Sequence, residues 1–423
     1  MKRVVILCVW LFSVVAGHAQ LSLDECRRLA RENYPEIRQY DLVHQTEQYN
    51  LSNAARAWIP QIAFSAQATW QTDAPNFPKE LTGMLAQQGL EIPGLRKDQY
   101  KVALELNQTI WDGGKSVADK RIARAEAAEQ KTMTDVDLYE LEGRVDDLYF
   151  GILLLDERIA QTNLTLNLLR SNLEKVRALQ RNGVAMQSDA DVLEAELLSV
   201  GQQLIQFESS CDSYRRMLGI FIGQKVGDRK LQRPSAVQPL SGESARPELA
   251  MFAAKIDRLT AQEKMVKSSS MPRLGFFAQG YYGYPGLDYM QSMMNSDWSW
   301  NAMLGVKLSW NFGAYYTQKN NLNKLRISRQ QVEVQRDVFL FNMNLQAAQE
   351  NGDIARLRKA IADDDRIVAL RRSVREAAES KLRNGIIDTH DLLSKITDES
   401  TASMARSMRE IELLKAIYEY KHT

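Results

Sequence analysis

Few side chains in this sequence have the types and spacing that chemistry would need. GGKS at 113–116 has the ending of a phosphate-cradling loop, where backbone amides of a glycine-rich turn hold the anion and a lysine reaches its outer oxygens. That loop also needs a glycine at 109, and the residue is Thr109, so the stretch reads as a junction between a strand and a helix. The histidines at 18, 44, 390 and 422 lack metal-ligand spacing, and no CxxC, HExxH or GxSxG occurs. Asp363, Asp364 and Asp365 are consecutive, so on a helix they fan around it and read as a solvated face. We therefore expect no catalytic residues, no metal and no cofactor, and read the chain as not an enzyme.

Two further groups of residues recur. Arg181-Asn182-Gly183 is followed by Asp189 and Asp191, and Arg383-Asn384-Gly385 by Asp388 and Asp391. Glycine after asparagine suits a helix end that needs a left-handed residue, and aspartate suits the start of the next helix, where it accepts from free amides. Each group thus marks a tight turn between two helices.

The elements that would hold these turns follow from proline. All ten prolines fall at 35, 60, 75, 78, 93, 234, 239, 247, 272 and 285, leaving 94–233 and 286–423 free of them. An interior proline costs a helix ~3 kcal/mol, so long helices are allowed in both stretches. Lys115 to Gln180 is rich in Ala, Leu, Glu, Arg and Gln, and Tyr315 to Lys381 contains only Gly352 as a helix weakener. Leu166, Leu169, Leu173 and Val176, and likewise Ile367, Leu370, Val374 and Ala377, step 3, 4, 3 in coiled-coil fashion. A helix of this length would run roughly 100 Å, so it must pack along others or project as a tube or rod.

The chain is also duplicated. Pro35-Glu36-Ile37 answers to Pro247-Glu248-Leu249, Pro60 to Pro272, Trp111-Asp112-Gly113-Gly114 to Trp310-Asn311-Phe312-Gly313, and the two Arg-Asn-Gly turns to each other. The expected organisation is a signal over 1–19, a first repeat over 20–223, a linker over 224–246 and a second repeat over 247–423. The first repeat holds strands near 62–71 and 101–112, a helix over about 115–180 and a tip at 181–191. The second holds strands near 273–283 and 298–312, a helix over about 315–382 and a tip at 383–391.

Alternation identifies the strands. Trp298, Trp300, Ala302, Leu304, Val306, Leu308, Trp310 and Phe312 share one face, and Ser299, Asn301, Met303, Gly305, Lys307, Ser309 and Asn311 the other. Trp70, Trp111, Trp298, Trp300 and Trp310 lie at or near strand ends. Trp300 to Trp310 spans roughly 33 Å along a strand and about 24 Å in height when tilted ~45°, close to the apolar band of an outer-membrane barrel with its aromatic girdles. A soluble sheet half buried against helices alternates too, but these strands have no obvious core-facing partner. Four strands cannot close a barrel, for which ~8 is the minimum, so a barrel requires several copies. Three copies would supply twelve strands around a lumen lined by Glu105, Lys307, Gln67, Asn107 and Asn301.

The first 19 residues, MKRVVILCVWLFSVVAGHA, have a basic start, an apolar run and a small-x-small ending, which predicts secretion with cleavage after Ala19. No cysteine follows that site, so a lipid anchor there is not expected; Cys26 and Cys211 read as buried thiols. With 54 basic against 53 acidic residues, nothing favours nucleic acid as a partner.

Taken together, the signal, the duplicated YPEI/RPEL and WIPQIAF/SMPRLGF stretches, the WDGG/WNFG junctions and the RNG turns leading into DVLEAE and DLLSK resemble the TolC-like outer membrane efflux family. The resemblance implies a mainly α fold with a membrane β-barrel portion. Its trimer would form a twelve-stranded barrel in the outer membrane, continued by a twelve-helix α-barrel through the periplasm. It implies an exit channel of a tripartite efflux or type I secretion system, partnered by itself, a periplasmic adaptor (membrane fusion) protein, an inner-membrane pump and outer-membrane lipid. Under it, Arg181, Asn182, Gly183, Arg383, Asn384 and Gly385 are adaptor-contact tips, and Asp189, Asp191, Asp388 and Asp391 belong to the periplasmic gate. Asp391 matches the first of the family's acidic rings; the second position is Ser394, so one ring is expected. Ordinary helix caps account for the same residues. His390 beside Asp391 would make the entrance pH-sensitive, or is simply a polar helix start. The rival readings are a soluble periplasmic coiled-coil adaptor and a rod protein of an envelope assembly. Against the adaptor stand the duplicated hairpin unit and the girdled strands; against the rod stand the polar strand faces.

Overall fold

The computed structural model describes residues 20–89, 92–183, 185–235 and 246–422; the signal over 1–19 and the middle of the 224–246 linker lie outside the described residues. In chain order the elements are α1 (Leu23–Asn33), α2 (Gln39–Arg56), β1 (Gln61–Trp70), α3 (Lys79–Gln87), β2 (Asp98–Trp111), α4 (Lys115–Arg181) and α5 (Gln187–Ile222). The second half continues with α6 (Pro247–Ser268), β3 (Arg273–Tyr284), α7 (Tyr289–Met294), β4 (Ser299–Ser309), α8 (Gly313–Arg383) and α9 (Thr389–His422). The duplicated order helix, strand, strand, long helix, helix is therefore present. The short helices α3 and α7 sit in the two strand-to-strand loops; α7 starts where the Asp288 carboxylate accepts from Gln291 N at 3.0 Å.

Contacts divide the chain into two compact units. One comprises Tyr40–Thr132 and Met251–Gln335, and is built on a four-stranded antiparallel sheet in the order β1-β2-β3-β4. Paired residues of an antiparallel sheet share a face, so the register sorts every side chain. Ile62, Leu106, Ala278 and Leu304 form one row, and Ala66, Val102, Tyr282 and Trp300 another, on a continuous apolar face. That face is open: Phe64 is 73% exposed, Leu304 75% and Trp300 82%. Burying one such side chain is worth ~1.5–3 kcal/mol, so a face of this kind is not built to meet water.

The junction from β2 into α4 explains the GGKS stretch. Asp112 accepts from Gly114 N (2.9 Å) and Ser116 N (2.7 Å) and also from the Ser116 hydroxyl, so its carboxylate caps the start of α4 and the loop amides are spent on it. Gly113 has φ +70° and packs so closely that a Cβ there would stand 2.7 Å from Met271 Cβ. Only glycine meets both demands.

The other unit comprises the described residues of Met1–Gln39, Met133–Ala250 and Arg336–Thr423. Its two helical hairpins, α4 with α5 and α8 with α9, share a core of Leu166, Leu169, Leu173, Val176, Leu193, Ala378, Leu392 and Ile396. The Leu166 to Val176 spacing thus faces inward, as a coiled-coil seam does. None of the second seam is buried here: Ile367, Leu370 and Val374 are exposed by 44%, 59% and 46% and Ala377 is exposed, while Ala378 beside it is buried. Cys26 and Cys211 are both buried and free.

Candidate functional site

The face of the sheet opposite the apolar one carries the polar residues. Glu105, Gln279 and Met303 form one row across β2, β3 and β4, followed by Asn107, Phe277 and Gly305, then Thr109, Gly275 and Lys307. Lys101 Nζ donates to Gln279 Oε1 at 3.1 Å and lies 4.6 Å from the Tyr281 ring centre, while Gln279 Nε2 donates to Glu105 Oε1 at 2.5 Å. A relay of cation, amide and carboxylate therefore joins β2 to β3. Gly305 is required beneath Phe277, whose ring a Cβ would meet at 2.9 Å. Lys307 is exposed on this face.

The tryptophans collect at the two ends of the strands. At the loop end, Trp298 stacks on Tyr100 (centroids 5.6 Å apart) and Trp300 packs on Tyr282 (5.0 Å); Trp70 closes β1 at the same end, paired with Asp98. At the helix end, Trp111 closes β2, and Trp310 packs on Phe312 (4.7 Å) while its indole donates to Ser270 O at 3.0 Å. Gln108 is a polar residue among the apolar side chains of β2; its amide donates to Trp58 O at 2.8 Å, so a backbone carbonyl satisfies it.

At the turns, α4 ends at Arg181 and Gly183 takes φ +77°; α8 ends at Arg383 and Gly385 takes φ +66°. Asp189, in the first turn of α5, accepts from Met186 N at 2.8 Å, and Asp388, just before α9, accepts from Asp391 N at 2.7 Å, so both carboxylates cap helix starts. Asp191 accepts from the Gln187 amide at 2.7 Å, and Asp391 is exposed. Lys175 reaches Glu379 at 3.4 Å between α4 and α8, and Arg177 reaches Glu194 at 2.6 Å between α4 and α5. Arg375 bridges Glu379 (2.6 Å) and Glu399, joining α8 to α9. Burial pushes the Glu379 carboxyl up, but Arg375 and Lys175 outweigh it and hold it below the usual carboxylate range.

Comparison with known proteins bears on what such a sheet and such hairpins serve. Residues 27–223 match the family model of the outer membrane efflux proteins. Over this stretch, a little under half of its length, the chain is similar to the outer membrane efflux proteins. Solved structures share its fold nearly end to end. The outer-membrane channel OprN matches with a TM-score of 0.70 at 14% identity, covering 95% of this chain and 89% of that one. The outer membrane protein VceC of Vibrio cholerae matches at 0.67 with 15% identity, covering 95% and 96%, and CusC at 0.67 with 14%, covering 94% and 92%. No curated protein matches the chain in sequence.

Among the described residues no helix is long and apolar enough to cross a membrane. Three residues of the sheet's polar face were missed as site residues in the sequence: Lys101, Gln279 and Arg273. The two-residue period that singled out Lys307 also sets Lys101 on the face of Glu105 along β2, and Arg273 and Gln279 on the face of Gly275 along β3. Met186 (74% exposed) and Ile386 (69%) were missed at the turns; an apolar residue just beyond a helix-ending glycine was the available signal.

Proposed function

We propose that three copies form a twelve-stranded barrel continued by a twelve-helix tunnel, the passive exit duct of a tripartite efflux or type I secretion system. The observation that carries this is the sheet. Its apolar face is open and bounded by aromatic residues at both ends, its other face is polar, and β1 and β4 each leave one edge unpaired among the described strands. Unpaired edges in a membrane must be closed, and pairing β4 of one copy with β1 of the next closes them all. The polar face then lines water, with Glu105 and Lys307 among its pore residues, and the tryptophans meet the two lipid interfaces.

At the far end the hairpin turns receive a periplasmic adaptor, which links the duct to an inner-membrane pump that supplies the energy. Arg181, Asn182, Gly183, Arg383, Asn384 and Gly385 form the docking turns, and exposed Met186 and Ile386 give the adaptor an apolar foothold. Asp391, with Asp388, Asp189 and Asp191 nearby, narrows the entrance, which opens when the tips splay. The similar channel MtrE of Neisseria gonorrhoeae was solved in a state described as open, which supports a gated reading. Purified protein in planar bilayers should give discrete conductance steps, and Asp391→Ala should raise them or weaken block by multivalent cations. A protein that never conducts would sink the duct; unchanged conductance and block in the variant would return Asp391 to helix capping alone.

A further inference from the structure

The polar face of the sheet holds charges that the duct reading leaves unassigned. Where the strands give way to α4, a cavity of about 600 Å³ is lined by Glu105, Asp112, Lys115, Asp119, Arg273 and Lys307. The six formal charges cancel, but their local compensation is unequal. Glu105 is tied through Gln279 to Lys101. Asp119 is paired with Lys115 at 2.9 Å. Asp112 is buried and spends its carboxylate on the first amides of α4 and on Ser116, at the end of the helix where the backbone dipole is positive. Burial pushes the Asp112 carboxyl up, yet these hydrogen bonds outweigh it and keep it below the ordinary range, so it stays ionised and occupied.

Two cations remain. Among the described residues neither Arg273 nor Lys307 has an ion-pair partner, and both are exposed on the polar face, Lys307 beside Gly275 and Arg273 at the first position of β3. Glycine at 275 leaves open space in the row between them, since nothing projects from it. Phe277, lying flat over Gly305, supplies an apolar floor next to Lys307. This is a surface for an anion with an organic body.

We infer that Arg273 and Lys307 form a cationic ring at the helix-side mouth of the barrel, two groups per copy and six in a trimer, which draws anionic solutes through the duct and binds multivalent anions. The inference rests on the trimeric duct proposed above. Rings of Lys and Arg are the usual device by which a pore favours anions, and a low-dielectric wall strengthens their field. The ring lies in the barrel and is independent of whatever Asp391 does at the tips.

The test is the reversal potential of single channels in planar bilayers under a KCl gradient at low ionic strength, where screening is weakest. The wild type should pass chloride more readily than potassium, and inorganic tripolyphosphate should block it. The double variant Arg273→Gln/Lys307→Gln should lose the chloride preference and weaken the block by at least about tenfold. Channels that conduct without a chloride preference would overturn the cationic ring and leave the duct standing. A chloride preference and block that survive in the double variant would overturn the assignment to these two residues. Absence of any conductance would remove the duct, and the ring with it.

Discussion

The sharpest perturbation of the sheet exchanges neighbours on opposite faces. Leu304 is the central residue of β4, on the apolar face beside Ala278; Met303 precedes it on the polar face beside Gln279. In water, Leu304→Arg would replace a side chain already 75% exposed, at a cost within about 0.5 kcal/mol. Against lipid, an arginine at the bilayer midplane costs ~2–4 kcal/mol per copy, roughly a 30- to 900-fold loss in the folding equilibrium of each copy. Met303→Arg puts the same charge on the water side, near Glu105, and should cost little. The assay is the yield of folded oligomer in the outer-membrane fraction, with urea unfolding in micelles giving the energy difference between the variants. Equal assembly and equal unfolding midpoints for Leu304→Arg and Met303→Arg would refute the assignment of the two faces.

Three further outcomes follow from local geometry. Gly113→Ala forces a Cβ into left-handed backbone and against Met271, and should lower stability by about 2 kcal/mol, read as a shift in the urea midpoint of the micelle-held protein. Glu379 has a folded pKa below its unfolded value of about 4.3, so its stabilisation is fully present above that value and lost as pH falls through the lower folded one. Glu379→Gln should cost up to ~1 kcal/mol at neutral pH and flatten the acid limb of stability; an unchanged acid limb would contradict the pairing with Arg375 and Lys175. Cys26 is fully buried, with its thiol pushed up to about 12 by burial and by Glu25 and Asp146, so a maleimide should leave it unlabelled in native protein and label it fully in denaturant.

The fold class was legible because its determinants are local. Proline-free stretches permit α4 and α8, and the alternation around Trp298 and Trp300 is a property of one strand, readable without its neighbours. Other features depend on register, which a two-residue period does not specify. Lys101, Gln279 and Glu105 meet only because β2 and β3 pair as they do, and the irregularity between Thr109 and Trp111 appears only in the pairing. Asp112 as a cap was hidden inside a stretch that resembled a phosphate loop. The gate role proposed for Asp391 was illegible for another reason: it would require convergence with other copies, which leaves no mark on a single chain beyond the helix start Asp391 also serves.

The account rests on trimerisation in the outer membrane. Native mass spectrometry of protein extracted from the outer-membrane fraction, after cross-linking in intact cells, tests it most directly. Three copies, lost together when Leu304→Arg keeps the sheet out of lipid, are the predicted result. A monomer released with the soluble periplasmic contents would contradict it.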